Sequence, residues 1–307
     1  MTANSPKQWL EIAVEVAGID AEVAADVLRQ ACPGGVAMEL GHRLDSALDA
    51  YVVDGDAPAL VKAYLPASEE ALRVRRSLQL ALKAAPLQQA PRWRRSRRLK
   101  EESWRDSWKK GFGVQRAGRS LIVKPSWVRY EVRDADVVIE IDPGMAFGTG
   151  QHPTTAMCLR AIEERVRPAR RVLDLGSGSG ILSIAAAKLG ARGVLALDID
   201  PQAVKATREN VAANGVEGLV EVREGTLEGA GDHRFDVIAA NISGLTQERL
   251  APLLAASLTP AGTLIASGFL EDAVGGLTKA FERTGLRVEE TREDGVWRAI
   301  IAVKHGG

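Results

Sequence analysis

A doubly wound α/β domain preceded by a small α+β domain is the fold class this sequence predicts. Three observations carry it. At 307 residues the chain exceeds what one small core needs. After Pro125, short apolar runs alternate regularly with helical segments, the pattern of a parallel sheet covered on both faces. Before residue 98, strand-like and helix-like stretches interleave in the order of a small ferredoxin-like sandwich.

The elements follow in order. "WLEIAVEV", from Trp9 to Val16, alternates Leu10, Ile12, Val14 and Val16 with Glu11 and Glu15, the period of a half-buried strand. A short helix carries Val23, Val27, Leu28 and Ala31 at spacings of three and four, and "PGG" at 33–35 stops it. "VAMEL" (36–40), "AYVV" (50–53) and "LVKAYL" (60–65) read as strands, and a helix runs from Glu69 to about Ala84 behind the cap Ser68. "RWRRSRR" (92–98) sets five arginines in seven residues. It reads as an edge strand guarded by charge, with a docking surface for an acidic or nucleic-acid-bearing partner as the competing reading. A linking helix or hinge is expected over 99–115, so that the domains span 1–98 and 116–307.

In the second domain "VVIEID" (137–142) leads into "DPGMAFGTGQHPTT" (142–155), and "TTAMCLRAIEERV" (154–166) is helical. "RVLDL" (171–175), "GVLALD" (193–198), "LVEVRE", "FDVIAA", "TLIAS" and "VWRAIIAV" supply strands. A helix from about Ile181 to Leu189 and another opened by Asp200 and Pro201 lie between them.

Forty basic residues balance forty acidic ones, so the whole-chain charge gives no reason to expect a polyanion or a membrane as main partner; any basic patch must be local. Direct nucleic-acid binding is accordingly not expected, and neither is a membrane. Two cysteines and no signal-like or long apolar stretch point to the cytoplasm. Four scattered histidines lack ligand spacing, so no metal is expected.

Chemistry concentrates at the carboxyl ends of the strands. "LDLGSGSGIL" ends a strand in a turn with Gly176, Gly178 and Gly180 and starts a helix at once, an arrangement that brings backbone N–H groups up to a ligand. Asp198 stands 22 residues past Gly176, close to the spacing at which a carboxylate meets ribose hydroxyls. A dinucleotide fingerprint would need a small residue at position 181; Ile181 stands there, which argues against a nicotinamide oxidoreductase. The G-x-G-x-G form suits S-adenosylmethionine, which has no pyrophosphate. Asn241 ends "FDVIAAN" at the sheet's rim, where it either caps the next helix or holds a ligand.

With "DPGMAFGTGQHPTT", "LDLGSGSGILSIAAAKLGA", "LDIDPQAV" and "ANI" in this order, together with "ESWRDSWKKGF" and "KPSW" upstream, the sequence resembles the bacterial ribosomal protein methyltransferase family PrmA, which methylates amino groups of the eleventh large-subunit ribosomal protein. The resemblance implies a Rossmann-like class I methyltransferase domain with a mostly parallel seven-stranded sheet, behind an N-terminal substrate-recognition domain. It implies S-adenosyl-L-methionine as cofactor, bound by Phe147, Thr155, Gly176, Gly178, Asp198 and Asn241. Asn241 would lie beside the transferred methyl and position the amine, the glycines at 144, 148 and 150 would form a loop over the cofactor, and His152 would order that loop. Lysine ε-amino or N-terminal α-amino groups of that ribosomal protein are the implied acceptors, and a monomer is expected. Gln151, Ser177 and Ser243 depart from residues frequent in the family without removing a cofactor contact. The first 95 residues match only in length and element order. A relative acting on another protein, and a non-catalytic RNA-binding module using the arginine run, are the competing readings.

Overall fold

The computed structural model describes residues 8–29, 31–32, 36–39, 42–45, 50–53, 57–100, 113–142, 150, 152–231 and 233–306. The chain divides into two compact units, Met1–Gly113 and Val114–Gly307. The division falls inside the expected linker, of which 101–112 lie outside the described residues.

The first unit contains β1 (Gln8–Ala17), α1 (Ala21–Arg29), β2 (Val36–Glu39), β3 (His42–Asp45), β4 (Ala50–Val53), β5 (Pro58–Pro66), α2 (Glu69–Ala84), β6 (Arg92–Trp93) and β7 (Arg97–Lys100). Its main sheet runs β2-β5-β1-β6 with β7 also on β1, every pairing antiparallel, and β3 pairs with β4 apart from it. The arginine run thus lies along an edge of the sheet. Leu10, Ile12, Val14 and Val16 pack with Leu28 of α1 and with Leu78 and Leu82 of α2. β1 is not half-exposed as its alternation predicts: Trp9, Glu11 and Ala13 are buried as well. The reason is its central place between β5 and β6–β7, where Trp9 packs with Tyr64 and Leu99. Ser68 caps α2 by accepting from Ala71 N at 3.3 Å. The buried Asp20 carboxylate accepts from the amides of Gln88 and Gln89, tying the start of α1 to the loop after α2.

The second unit opens with a three-stranded sheet of β8 (Gln115–Arg116), β9 (Leu121–Lys124) and β10 (Val137–Glu140), in which β9 and β10 are parallel. The strand expected over 137–142 therefore belongs to this small sheet and stands outside the large one. α3 (Pro153–Arg165) follows. Its Glu163 accepts from the amides of Arg119 (2.7 Å), Ser120 (2.6 Å) and Leu121 (3.3 Å) and from Ser120 Oγ (2.5 Å). Burial opposes the charge on Glu163, yet these donors outweigh it and lower the carboxyl pKa.

The remaining elements are β11 (Arg171–Leu175), α4 (Ile181–Lys188), β12 (Gly193–Asp198), α5 (Pro201–Ala213), β13 (Val220–Glu224), β14 (Phe235–Asn241), α6 (Gly244–Ser257), β15 (Leu258–Leu270), α7 (Glu271–Arg283), β16 (Leu286–Asp294) and β17 (Trp297–Lys304). They form a seven-stranded sheet in the order β13-β12-β11-β14-β15-β17-β16. The first five are parallel, and β17 runs antiparallel between β15 and β16. One face packs Leu159 and Ile162 of α3, Ile184 of α4 and Val211 of α5; the other packs Leu254 of α6 and Leu277 and Phe281 of α7. Chain order reverses between β11 and β14, which opens a crevice outside their carboxyl ends. Among the described residues no helix is long and apolar enough to cross a membrane.

Candidate functional site

β11 delivers the chain to the rim of that crevice, and Gly176, Gly178 and Gly180 turn it into α4 with φ of +77°, +55° and +80°. These values lie in the left-handed region that a Cβ disfavours. A Cβ on Gly180 would also approach Thr207 Cγ2 to 2.8 Å. The turn's amides are already engaged. Gly176 N and Ser177 N both donate to Leu197 O at 2.8 and 3.0 Å, Gly178 N to Asp198 Oδ2 at 2.9 Å, and Gly180 N to Ser177 O at 2.7 Å. Thr207 Oγ1 donates to Gly178 O and Asn210 Nδ2 to Ser179 O, so α5 holds the turn from the other side. The amides of Gly176, Ser177, Gly178 and Gly180 thus have acceptors within the protein, and the turn presents a backbone surface without bulky side chains.

Asp198 ends β12 beside this turn. Its Oδ2 accepts from Gly178 N and its Oδ1 from Asp200 N at 3.0 Å. An ionised carboxylate has about four acceptor sites. Each oxygen of the half-exposed Asp198 thus retains acceptor capacity for a pair of hydroxyls.

Asn241 ends β14. Leu175 pairs with Ala240 across neighbouring parallel strands, which sets Asn241 level with Gly176. Asn241 Nδ2 donates to Oγ1 of the buried Thr155 on α3 at 3.3 Å. Its Oδ1 is buried and has no hydrogen-bond partner among the described residues. A buried carbonyl oxygen without a donor is unfavourable on its own and fitted to a ligand N–H.

Sequence reasoning missed what holds Asn241 in place. Ile242 lies between two glycines. A Cβ on Gly176 would come within 2.3 Å of Ile242 Cγ2, and one on Gly268 (φ +96°) within 2.6 Å of Ile242 O. The fully buried Gln247 of α6 donates from Nε2 to Ile242 O at 2.8 Å and to Ser267 O at 2.7 Å. Ser267 is the strand partner of Asn241, and its hydroxyl donates to Arg298 O of β17. Three strand ends are thereby fastened around one asparagine.

A second unforeseen residue is Asp174, which interrupts the apolar run of β11 and is fully buried. Its Oδ2 accepts from Ser183 N at 3.0 Å and Ser183 Oγ at 2.6 Å, while Oδ1 has no partner among the described residues. Burial raises its pKa from 3.8 to about 6, Ser183 pulls it down, and the nearby charge of Asp198 adds to the rise. The signal was present in the sequence, because a carboxylate inside a continuous apolar strand is never incidental.

His152 caps α3. Its Nδ1 accepts from Thr154 N at 3.1 Å and meets Thr154 Oγ1 at 2.6 Å, which leaves the proton of the neutral ring on Nε2. Trp297 stacks edge-on against it at 4.7 Å between centroids, with its indole N–H buried and unpartnered among the described residues. Gly150 (φ +87°) is closely packed, its Cβ position lying 3.2 Å from Val123 and 3.3 Å from Ile181. Phe147, Gly144 and Gly148 lie outside the described residues. Thr155, Gly176, Gly178, Asp198 and Asn241 all fall around the β11–β14 crevice.

A strand order that reverses at β11, an antiparallel strand inserted before the last, and a carboxylate waiting at the end of β12 together define a class I methyltransferase domain. Comparison with known proteins makes the assignment specific. The family model described as ribosomal protein L11 methyltransferase (PrmA) matches residues 8–305, and the chain belongs to that family. A ribosomal protein L11 methyltransferase from Pelotomaculum thermopropionicum is 41% identical over 96% of this chain and 98% of its own length. One from Chloroflexus aurantiacus is 40% identical, with 95% and 97% covered. The crystal structure of a ribosomal protein L11 methylase from Lactobacillus delbrueckii subsp. bulgaricus superposes with a TM-score of 0.59 at 34% identity, over 63% of this chain and all of that one.

Proposed function

We propose that this methyltransferase transfers methyl groups from S-adenosyl-L-methionine to lysine ε-amino or N-terminal α-amino groups of ribosomal protein L11. The observation that carries the reading is the buried Oδ1 of Asn241 beside the glycine turn, without a hydrogen-bond partner among the described residues, in a chain matched almost end to end by that family. Asp198 retains acceptor capacity suited to the ribose hydroxyls. The smooth turn at Gly176 and Gly178 suits an adenosyl group without phosphates, and Thr155 stands behind Asn241. Bound there, the cofactor supplies an electrophilic methyl on a positively charged sulfur.

The chain's task is to present a neutral amine. A lysine with a pKa near 10.4 is about 3.4 units from neutrality at pH 7, roughly 4.6 kcal/mol. One hydrogen bond accepted by Asn241 Oδ1 contributes about 1 kcal/mol net, so it orients the amine without deprotonating it. Exclusion of water supplies the rest, since burial shifts lysines by up to about 3 to 5 units. His152 is poorly suited to act as a general base, because its Nδ1 is engaged by Thr154. No side-chain base is required, and the loop over 142–155 is the segment that excludes water.

The deciding experiment incubates the protein with purified ribosomal protein L11 and labelled cofactor, followed by mass spectrometry of the product. Methyl increments on amines support the reading. An unmodified L11 alongside a different methylated protein from a ribosomal extract sinks it.

A further inference from the structure

The unit Met1–Gly113 separates its charges. Residues 1–56 hold ten acids against three lysines and arginines, whereas residues 57–100 hold eleven lysines and arginines against two acids, Glu69 and Glu70. α1 lies against β5 and β2, while β6 and β7 form the opposite edge beyond β1. Trp93 of that edge packs, partly buried, against the core cluster that also holds Leu78 and Leu82 of α2.

Arg73 and Arg76 on α2 and Arg92, Arg95, Arg97 and Arg98 on the edge are exposed. Among the described residues, Arg94 alone in the run at 92–98 has an ion pair, with Glu15. Protection of an edge strand accounts for charges on β6 and β7. It does not account for α2, whose acids are confined to the first turn and whose outer surface is otherwise single-signed, where soluble helices ordinarily intersperse the two signs. The choice of side chain points further: arginine outnumbers lysine in the segment, and its planar fork grips phosphate oxygens in pairs.

We propose that the α2 surface and the β6–β7 edge of this unit bind the phosphate backbone of RNA. Phosphate recognition stands on the arginines alone, and the choice of RNA rests on the ribosomal-protein reading given above. Neutral whole-chain charge does not conflict with this, because a local field of one sign is what steers a polyanion.

The test is fluorescence anisotropy of the full chain with a fluorescein-labelled poly-uridine oligomer across a salt series. Affinity should fall with salt by about 0.7 logarithmic units per tenfold increase for each phosphate contacted. Arg73→Ala with Arg76→Ala, and Arg97→Ala with Arg98→Ala, should each reduce that slope by roughly 1.4. The corresponding lysine variants keep the slope and bind more weakly than wild type, a control that also answers loss of folding. Asn241→Ala should bind RNA like wild type, which separates this surface from the methyl-transfer site even where L11 proves not to be the substrate. Salt-independent binding, or binding that survives loss of both arginine pairs, overturns the surface. Equal affinity for a DNA oligomer, or capture of poly-glutamate with no capture of RNA, overturns the RNA assignment.

Discussion

Asn241 and Thr155 are 86 residues apart in sequence and joined Nδ2 to Oγ1 at 3.3 Å, which turns the asparagine's carbonyl oxygen away from α3 with no donor among the described residues. That single contact fixes which end of the amide is left for a ligand. Asn241→Ala should lower kcat by about 10²-fold, the scale of a lost orienting contact, with little change in cofactor affinity. His152→Ala removes a helix cap worth about 1 kcal/mol and should cost stability more than rate. In the absence of a side-chain base the chemical step should accelerate toward alkaline pH. Single-turnover kinetics of both variants across pH checks all three statements, and a larger rate loss at His152 would reverse the assignments.

Gln247 should prove a positioning residue. Replacing it by leucine leaves Ile242 O and Ser267 O without their donor, each at about 1–3 kcal/mol when buried. The expected result is a lower kcat at nearly unchanged KM, with the effect vanishing in an Asn241→Ala background. A double-mutant cycle measures this directly, and additive losses would contradict it.

Asp198→Asn should weaken cofactor binding by about 10- to 100-fold, since it replaces a charged acceptor that also holds Gly178 and Asp200. Calorimetric titration with S-adenosylmethionine provides the reading. Undiminished affinity would move the ribose elsewhere.

Asp174 predicts a pH signature. Its folded pKa, about 6, stands above its ordinary value of 3.8, so the folded state binds the proton more tightly than the unfolded state does. The associated stability is fully present below about pH 4 and is lost as pH rises through 6. A shift of this size amounts to about 3 kcal/mol. Asp174→Asn keeps an acceptor for Ser183 and carries no charge. Its stability relative to wild type should therefore improve by about that amount between pH 4 and pH 8, as measured by urea denaturation at each pH. A difference independent of pH would show that the carboxylate ionises normally.

Strands β11, β12 and β14 were legible because buried parallel strands are continuous apolar runs, and α5 because Asp200 and Pro201 mark a helix start chemically. β16 was not legible. Its sequence "LRVEETRED" is mostly polar and charged, since an edge strand buries little beyond Leu286 and draws its order from β17. The same holds for the site. Asp198 and Asn241 announce themselves by standing at the ends of apolar strands. Gln247 does not, because a glutamine in a helix looks solvent-facing until the two carbonyls it bonds, 5 and 20 residues away, are brought to it by the fold. Glu11 was misjudged for the mirror-image reason: alternation names two faces but does not tell whether the second one is wet.

The position of Ile242 between Gly176 and Gly268 has a mechanical meaning. Gly176 belongs to the loop assigned to the methyl donor and Asn241 to the strand assigned to the acceptor, so the bulk of one branched aliphatic side chain works as a shim between them. A change at 242, or a methyl added at either neighbouring glycine, should therefore shift the Gly176 turn against the end of β14.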